Sequence, residues 1–302
     1  MTSRPQEESL GPTCILNGHS VHVEEAQAHI ARISREFGVR ANVVVTRKGD
    51  DISSLAAPRH LVVTGGGDGA VSAVAGVLAG TNAAIGVLPM GTLNHFAKDV
   101  GIPRHLEAAV RNIFTGQVTK VDVGEVNGHV FVNNSGMGFY PHFVRQREAQ
   151  EQHGHVKRVA FVLALRSVMR RYFRLRMKLH MDQAEALEHV TPFLFVGNNR
   201  YQTAGLEIGT RSRLDSGQLW VCTAPRTNRE NFVHLALKTL FGRDTDQDLS
   251  AFEVKEIWVQ PGTPRVNVST DGEVCVMDAP LHYTIRPKAL RVIVPAQPRP
   301  ES

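Results

Sequence analysis

Between residues 13 and 122, short β-branched runs alternate with helical stretches; beyond them the helices largely stop. This change of pattern constrains the fold more than any other feature. Strands separated by helices pair in parallel, whereas strands separated by tight turns pair antiparallel. In the first region, Ala26, Ile30, Ile33 and Phe37 recur at spacings of three and four, predicting a helix over 24–37 with one apolar stripe. VRANVVVT at 39–46, HLVVT at 60–64 and AIGVLP at 84–89 read as strands, and 70–78 and 105–114 as helices. The expected architecture is an α/β domain with an open parallel sheet and helices on both faces.

From about residue 121 the reading is mainly antiparallel β. Asn127-Gly128 joins two short runs as a hairpin turn. Phe173, Leu175, Met177, Leu179 and Met181 alternate with Arg174, Arg176, Lys178 and His180, the mark of a half-buried strand. PFLFVGNN, QLWVCTAP, FEVKEIWVQP and RVNVSTDGEV continue the series, with helices expected only at about 155–171 and 228–241. A β-sandwich follows. The domain boundaries are 13–122 for the α/β domain, with 286–296 returning to it, and 123–285 for the β-rich substrate domain. Residues 1–12 and 297–302 are polar tails.

The chemistry is concentrated in three short segments. Thr64-Gly65-Gly66-Gly67-Asp68-Gly69-Ala70 follows a strand and opens a helix, where free N–H groups and glycine backbone suit a phosphate. No Gly-Lys occurs, which excludes a Walker-type loop. Gly65, Gly67 and Ala70 fit a dinucleotide fingerprint, yet the acid that should hold the ribose is missing from 85–93. Asp68 inside the loop points instead to a cation and a nucleotide. The second segment, LPMGTLNHFA at 88–97, places Gly91, Thr92 and Asn94 at the next strand end, where Thr92 and Asn94 serve either as caps or as ligand contacts. The third, STDGE at 269–273, is a hairpin turn whose two acids suit proton acceptance or Mg²⁺ binding.

In order along the chain, GGDGA at 66–70, LPMGTLNHFAKDVGIP at 88–103, VDVGEVNGHVFVNNSGMGFYPHFV at 121–144, RLDSGQLWV at 213–221 and DGE at 271–273 resemble the diacylglycerol kinase catalytic-domain family. That family includes bacterial lipid kinases and is similar to sphingosine kinases. The resemblance implies an NAD-kinase-like α/β domain plus a β-sandwich, with the active site in the cleft between them. It implies ATP and Mg²⁺ as cofactors and a membrane lipid as substrate. Gly65, Gly66, Gly67, Asp68 and Gly69 then form the nucleotide loop, with Thr46, Gly91, Thr92 and Asn94 as further nucleotide contacts. Asp68, Asp271 and Glu273 are the catalytic acids, one of the DGE pair accepting the proton. Asp215, with backbone oxygens near Ser212 and Gly217, is the metal-holding acid. Three departures stand out: Ala70 replaces the usual Thr or Ser, Ser72-Ala73 replaces Asn-Glu, and Asn17-Gly18-His19-Ser20 is a remnant of an early Asn-Pro-x-Ser-Gly motif. They keep two other readings open: a non-catalytic nucleotide- or lipid-binding regulator, and a kinase of a soluble alcohol.

Composition bounds the setting. Hydrophobic residues at 42% and charged residues at 21% suffice for a sizeable core. The net charge of +5 favours acidic partners. An aromatic content of 6%, with no reader motif, argues against nucleic acid. Cys14, Cys222 and Cys275 are odd in number and far apart, which fits a reducing cytoplasm. His19 and His22, and His153 and His155, lack acidic or Cys companions at ligand spacing. The N-terminus has no apolar segment of the secretory kind, and no run of about 18 apolar residues occurs, so lipid contact is expected to be peripheral. The basic stretch 157–178 offers either a membrane-facing surface or a solvated face. An exposed strand edge in the second domain would allow a homodimer.

Overall fold

The computed structural model describes residues 10–47, 49–56, 60–138, 175–181, 187–202, 210–224 and 249–296. The chain forms two compact units, residues 1–121 with 288–302, and residues 122–287.

The first unit runs β1 (Leu10–Asn17), α1 (Val23–Glu36), β2 (Arg40–Thr46), α2 (Ile52–Ala56), β3 (Leu61–Gly66), α3 (Asp68–Leu78), β4 (Ala84–Pro89), α4 (His95–Asp99) and α5 (Leu106–Thr115). The chain leaves through β5 (Gln117–Val126) and returns in the second half of β16 (Leu281–Val294). Strand order is β2-β1-β3-β4-β16, with every pairing parallel. From β1 the chain steps one way to β2, and from β3 it steps the other way to β4. Right-handed crossovers therefore put α1 and α3 on opposite faces of the sheet. Covered on both faces, β3 and β4 are apolar almost throughout, with Val62, Val63, Ile85, Val87 and Leu88 buried. In α1 the stripe Ala26, Ile30 and Ile33 faces inward. Phe37 does not extend that stripe: the helix ends at Glu36, Gly38 turns the chain at φ 66°, and the exposed Phe37 ring stacks on Phe114 at 5.0 Å.

The second unit is built from strands. After the end of β5 come β6 (His129–Phe131), β7 (Asn134–Gly138), β8 (Leu175–Met181), β9 (Leu187–Thr191), β10 (Phe193–Asn198), β11 (Leu219–Thr223), β12 (Ser250–Val254), β13 (Glu256–Pro261), β14 (Arg265–Thr270) and β15 (Glu273–Asp278). One antiparallel sheet orders β12-β11-β10-β7-β14-β15; a second carries the first half of β16 beside β13, β8 and β9. Met177, Leu179, Ile257, Val259 and Tyr283 from one sheet meet Met137, Leu194, Val221 and Val268 from the other in a single core, which makes the unit a sandwich. The alternation expected for β8 holds over its described length, with Met177 and Leu179 inward and Arg176, Lys178 and His180 outward. Both short hairpins use two left-handed residues, Asn127-Gly128 and Asp271-Gly272. FEVKEIWVQP is not one strand: it breaks at Lys255, and β12 and β13 enter different sheets.

The helices expected at 155–171 and 228–241, and residues 157–174 of the basic stretch, lie outside the described residues. Among the described residues no helix is long and apolar enough to cross a membrane. All three cysteines are free, and burial pushes the Cys14 thiol up to about 12, away from reactivity.

Candidate active site

In an open parallel sheet, ligands gather at the carboxyl ends of the strands where the winding direction reverses. Here that point lies between β1 and β3, so the loops after β1, β3 and β4 come together. Their approach is tight enough to demand glycine. A Cβ on Gly65 would lie 2.5 Å from Leu16 Cδ2 and 2.6 Å from Met90 Sδ, and one on Gly91 would strike the Gly67 backbone. Ser20 Oγ donates to Met90 O at 3.0 Å, tying the first loop to the third. The Asn17–Ser20 segment thus keeps an anchoring role despite its divergence.

Asp68 spends both carboxylate oxygens on the start of α4, Oδ2 accepting from His95 N (3.1 Å) and Oδ1 from Phe96 N (3.0 Å). It locks the second loop to the third while retaining lone pairs for a further partner. Asn94, at φ 51°, closes its own loop: Oδ1 accepts from Gly91 N (3.0 Å) and Nδ2 donates to Gly91 O (2.8 Å). Thr46 is buried and donates to Leu16 O at 3.2 Å, so its hydroxyl proton is committed to β1. Thr92 is exposed and borders a cavity of about 220 Å³ with Pro89, Asn94, Lys98 and Arg104. Lys98 and Arg104 give this cavity positive charge. Neither stood out in the sequence, where isolated cations look like ordinary surface. The first turn of α3 begins beyond Gly67, so its leading N–H groups have no side-chain cap.

In the second unit the Asp271-Gly272 turn is held from below. Asp271 Oδ2 accepts from Val132 N (2.7 Å), and Oδ1 accepts from Asn133 N (2.8 Å) and Asn134 N (2.9 Å). Two residues on, Glu273 is exposed at the start of β15; its backbone pairs with Thr270, while its side chain makes no hydrogen bond or ion pair among the described residues. The two acids that the sequence paired are therefore unlike: one is anchored, the other projects.

Asp215 lies in the turn before β11, its Oδ1 accepting from Arg213 Nε at 3.1 Å. Asp122, which the sequence reading passed over inside VDVGE, is buried beneath the same turn. Its N–H donates to Leu214 O (2.7 Å), and its Oδ2 accepts from Gly217 N (2.7 Å). Among the described residues no three His, Cys, Asp or Glu side chains gather to hold a metal ion. What the turn offers is carboxylate and backbone oxygen, a donor set compatible with Mg²⁺, which takes one or two carboxylates and keeps several waters.

Known proteins are similar to this chain in sequence and in fold. Residues 13–126 match the diacylglycerol kinase catalytic domain, and residues 143–294 match the YegS C-terminal NAD kinase beta sandwich-like domain. The "Probable lipid kinase YegS-like" of Pseudomonas aeruginosa is 29% identical over 293 residues, 93% of each chain. The "Diacylglycerol kinase" of Mycobacterium tuberculosis is 28% identical over the same length and shares. A diacylglycerol kinase crystal structure from Bacillus anthracis str. Sterne has the same fold, with a TM-score of 0.67, 18% identity, and coverage of 94% of this chain and 96% of that one. The chain belongs to the diacylglycerol kinase catalytic-domain family, phosphotransferases whose acceptor is an alcohol group.

Proposed function

We propose that the protein transfers the γ-phosphoryl group of ATP to a hydroxyl of a membrane lipid of the diacylglycerol or sphingoid type. The observation that carries the nucleotide half is the convergence of the loops at 17–20, 65–68 and 90–94, with an uncapped helix start and glycine at the contact points. Lipid as the acceptor class is supported by the two relatives just named, one called a lipid kinase and the other a diacylglycerol kinase.

In this reading Gly65 to Gly69 and the first turn of α3 receive the phosphates. Asp68 keeps the 65–69 and 91–94 loops in register, and Lys98 and Arg104 add positive charge beside Thr92. Mg²⁺, when bound with the nucleotide, supplies charge neutralisation on the phosphates. A structural Mg²⁺ would be held by Asp215 with backbone oxygens of the 212–217 turn, above the buried Asp122. Asp271 and Glu273 form the acidic pair that takes the proton of the attacking hydroxyl. Asp271 supplies an anchored carboxylate and Glu273 an exposed one.

Incubating the protein with γ-labelled ATP, Mg²⁺ and a mixed bacterial lipid extract in detergent micelles tests the proposal. A labelled lipid, identified by chromatography, is the expected product. ATP binding with no labelled lipid would transfer support to a regulator or to a kinase of a soluble alcohol.

A further inference from the structure

Arg211 is 4% exposed. A guanidinium is rarely taken so far from water unless its N–H groups are met. Nη1 donates to Val132 O (2.7 Å) and Asn198 O (3.0 Å), and Nη2 donates to Asn133 Oδ1 (2.6 Å). Its Cζ lies 5.3 Å from the centre of the Tyr201 ring, and the Tyr201 hydroxyl accepts from Asn134 Nδ2 at 3.2 Å. Arg211 therefore grips residues 132 and 133 directly and residue 134 through Tyr201.

These are the three residues whose N–H groups hold the Asp271 carboxylate. The connection is closer than proximity. Val132 C=O and Asn133 N–H belong to one peptide group. Arg211 donates to the oxygen of that group, and Asp271 Oδ1 accepts from its nitrogen. A cation on the carbonyl end polarises the amide and strengthens the hydrogen bond at the other end. Asn198 Nδ2 donates to the same carbonyl at 2.9 Å and reinforces the effect. If packing alone were wanted, an apolar side chain would fill the space without the cost of desolvating a charge.

We propose that Arg211 is a positioning residue for the Asp271-Gly272-Glu273 turn, pinning and polarising the 132–134 segment that fixes Asp271. This rests on the reading of Asp271 and Glu273 as the proton-accepting pair.

The test compares wild type with Arg211→Met, Arg211→Lys and Asn133→Ala by amide hydrogen exchange and steady-state kinetics. Val196 in β10 and Val259 in β13 serve as reference amides. In Arg211→Met, protection at Val132, Asn133 and Asn134 is expected to fall about tenfold or more beyond any change at the references, the size of one charge-assisted hydrogen bond. The transfer kcat falls by a similar factor, while KM for ATP stays within about twofold because the Arg211 contacts lie in the β-rich unit. Arg211→Lys restores part of both, and Asn133→Ala gives the same local pattern at smaller size, which keeps the test valid should Arg211→Met not fold. Equal loss of protection at all amides would overturn the proposal, as would local loss with kcat unchanged. Local loss in a protein whose wild type labels no lipid would leave Arg211 as the anchor of the turn and refute the lipid-kinase reading instead.

Discussion

Asp68 and Asp271 are the same residue type, each followed by glycine, yet Asp68 opens helix α3 while Asp271 sits in a hairpin turn, and they are used differently. Asp68 sits in a parallel α/β unit and offers its carboxylate to two N–H groups at the start of α4, 27 and 28 residues away. Asp271 sits at the tip of an antiparallel hairpin at φ 48° and takes three N–H groups from a segment 137 to 139 residues away. The first joins two loops at the carboxyl ends of neighbouring strands. The second joins a hairpin to a strand entry and is backed by a buried arginine. Both carboxylates collect backbone N–H groups from distant segments, two at Asp68 and three at Asp271.

The largest effect expected is on chemistry. Glu273→Gln should lower kcat by about 10²–10⁴ if it is the proton acceptor, with an almost unchanged Tm, because the side chain is exposed. Asp271→Asn should lower both kcat and Tm. A Glu273→Gln variant with full activity would assign the proton to Asp271 alone. Next in size is stability. Asp271→Ala should cost about 3 kcal/mol or more in denaturant unfolding, since it strands three buried-side donors of a charged acceptor. Asp68→Ala removes a helix cap and should cost about 1 kcal/mol, while raising KM for ATP. Equal costs at the two positions would erase the contrast drawn above. Smaller still, Ala70→Thr should tighten ATP binding by about 0.5–1.5 kcal/mol, the worth of one neutral hydrogen bond; calorimetry showing no change would make the missing hydroxyl irrelevant.

The smallest effect is one of pH. Burial lowers the proton affinity of His189, which bonds Thr223 Oγ1 at 2.9 Å. Its folded-state affinity lies below the unfolded one, so the unfolded chain binds the extra proton first. The β-rich unit should lose a little stability as pH falls below about 6.5, the ordinary histidine value. His189→Gln should flatten that slope, and an unchanged slope would assign it to other groups.

Much of this was legible in the sequence because it is local. The switch from helix-separated to turn-separated strands gave the two architectures, and Asn127-Gly128 and Asp271-Gly272 marked hairpins that exist where expected. The loops at 65–69 and 91–94 were recognisable as strand-end turns. What was hidden is non-local. Nothing around Asp68 says that its carboxylate will cap a helix more than twenty residues on. Thr46 reads as a ligand contact; that its hydroxyl, at the end of β2, also donates to Leu16 O of β1 is not visible in the sequence. Arg211 and Arg213 look alike in RSRLDS, where nothing in the sequence tells them apart. One is buried at the centre of a hydrogen-bonded network, the other lies on the surface beside Asp215. Asp122 gave no local signal because its partners, Leu214 and Gly217, lie far along the chain.

The most direct test of the central claim is phosphoryl transfer by the Asp271→Asn/Glu273→Gln double variant, measured beside wild type with γ-labelled ATP and lipid micelles, with ATP affinity followed by calorimetry. The predicted result is labelled lipid from wild type only, with ATP bound equally well by both. A double variant that labels lipid at the wild-type rate would contradict the assignment of the acidic turn as the catalytic centre.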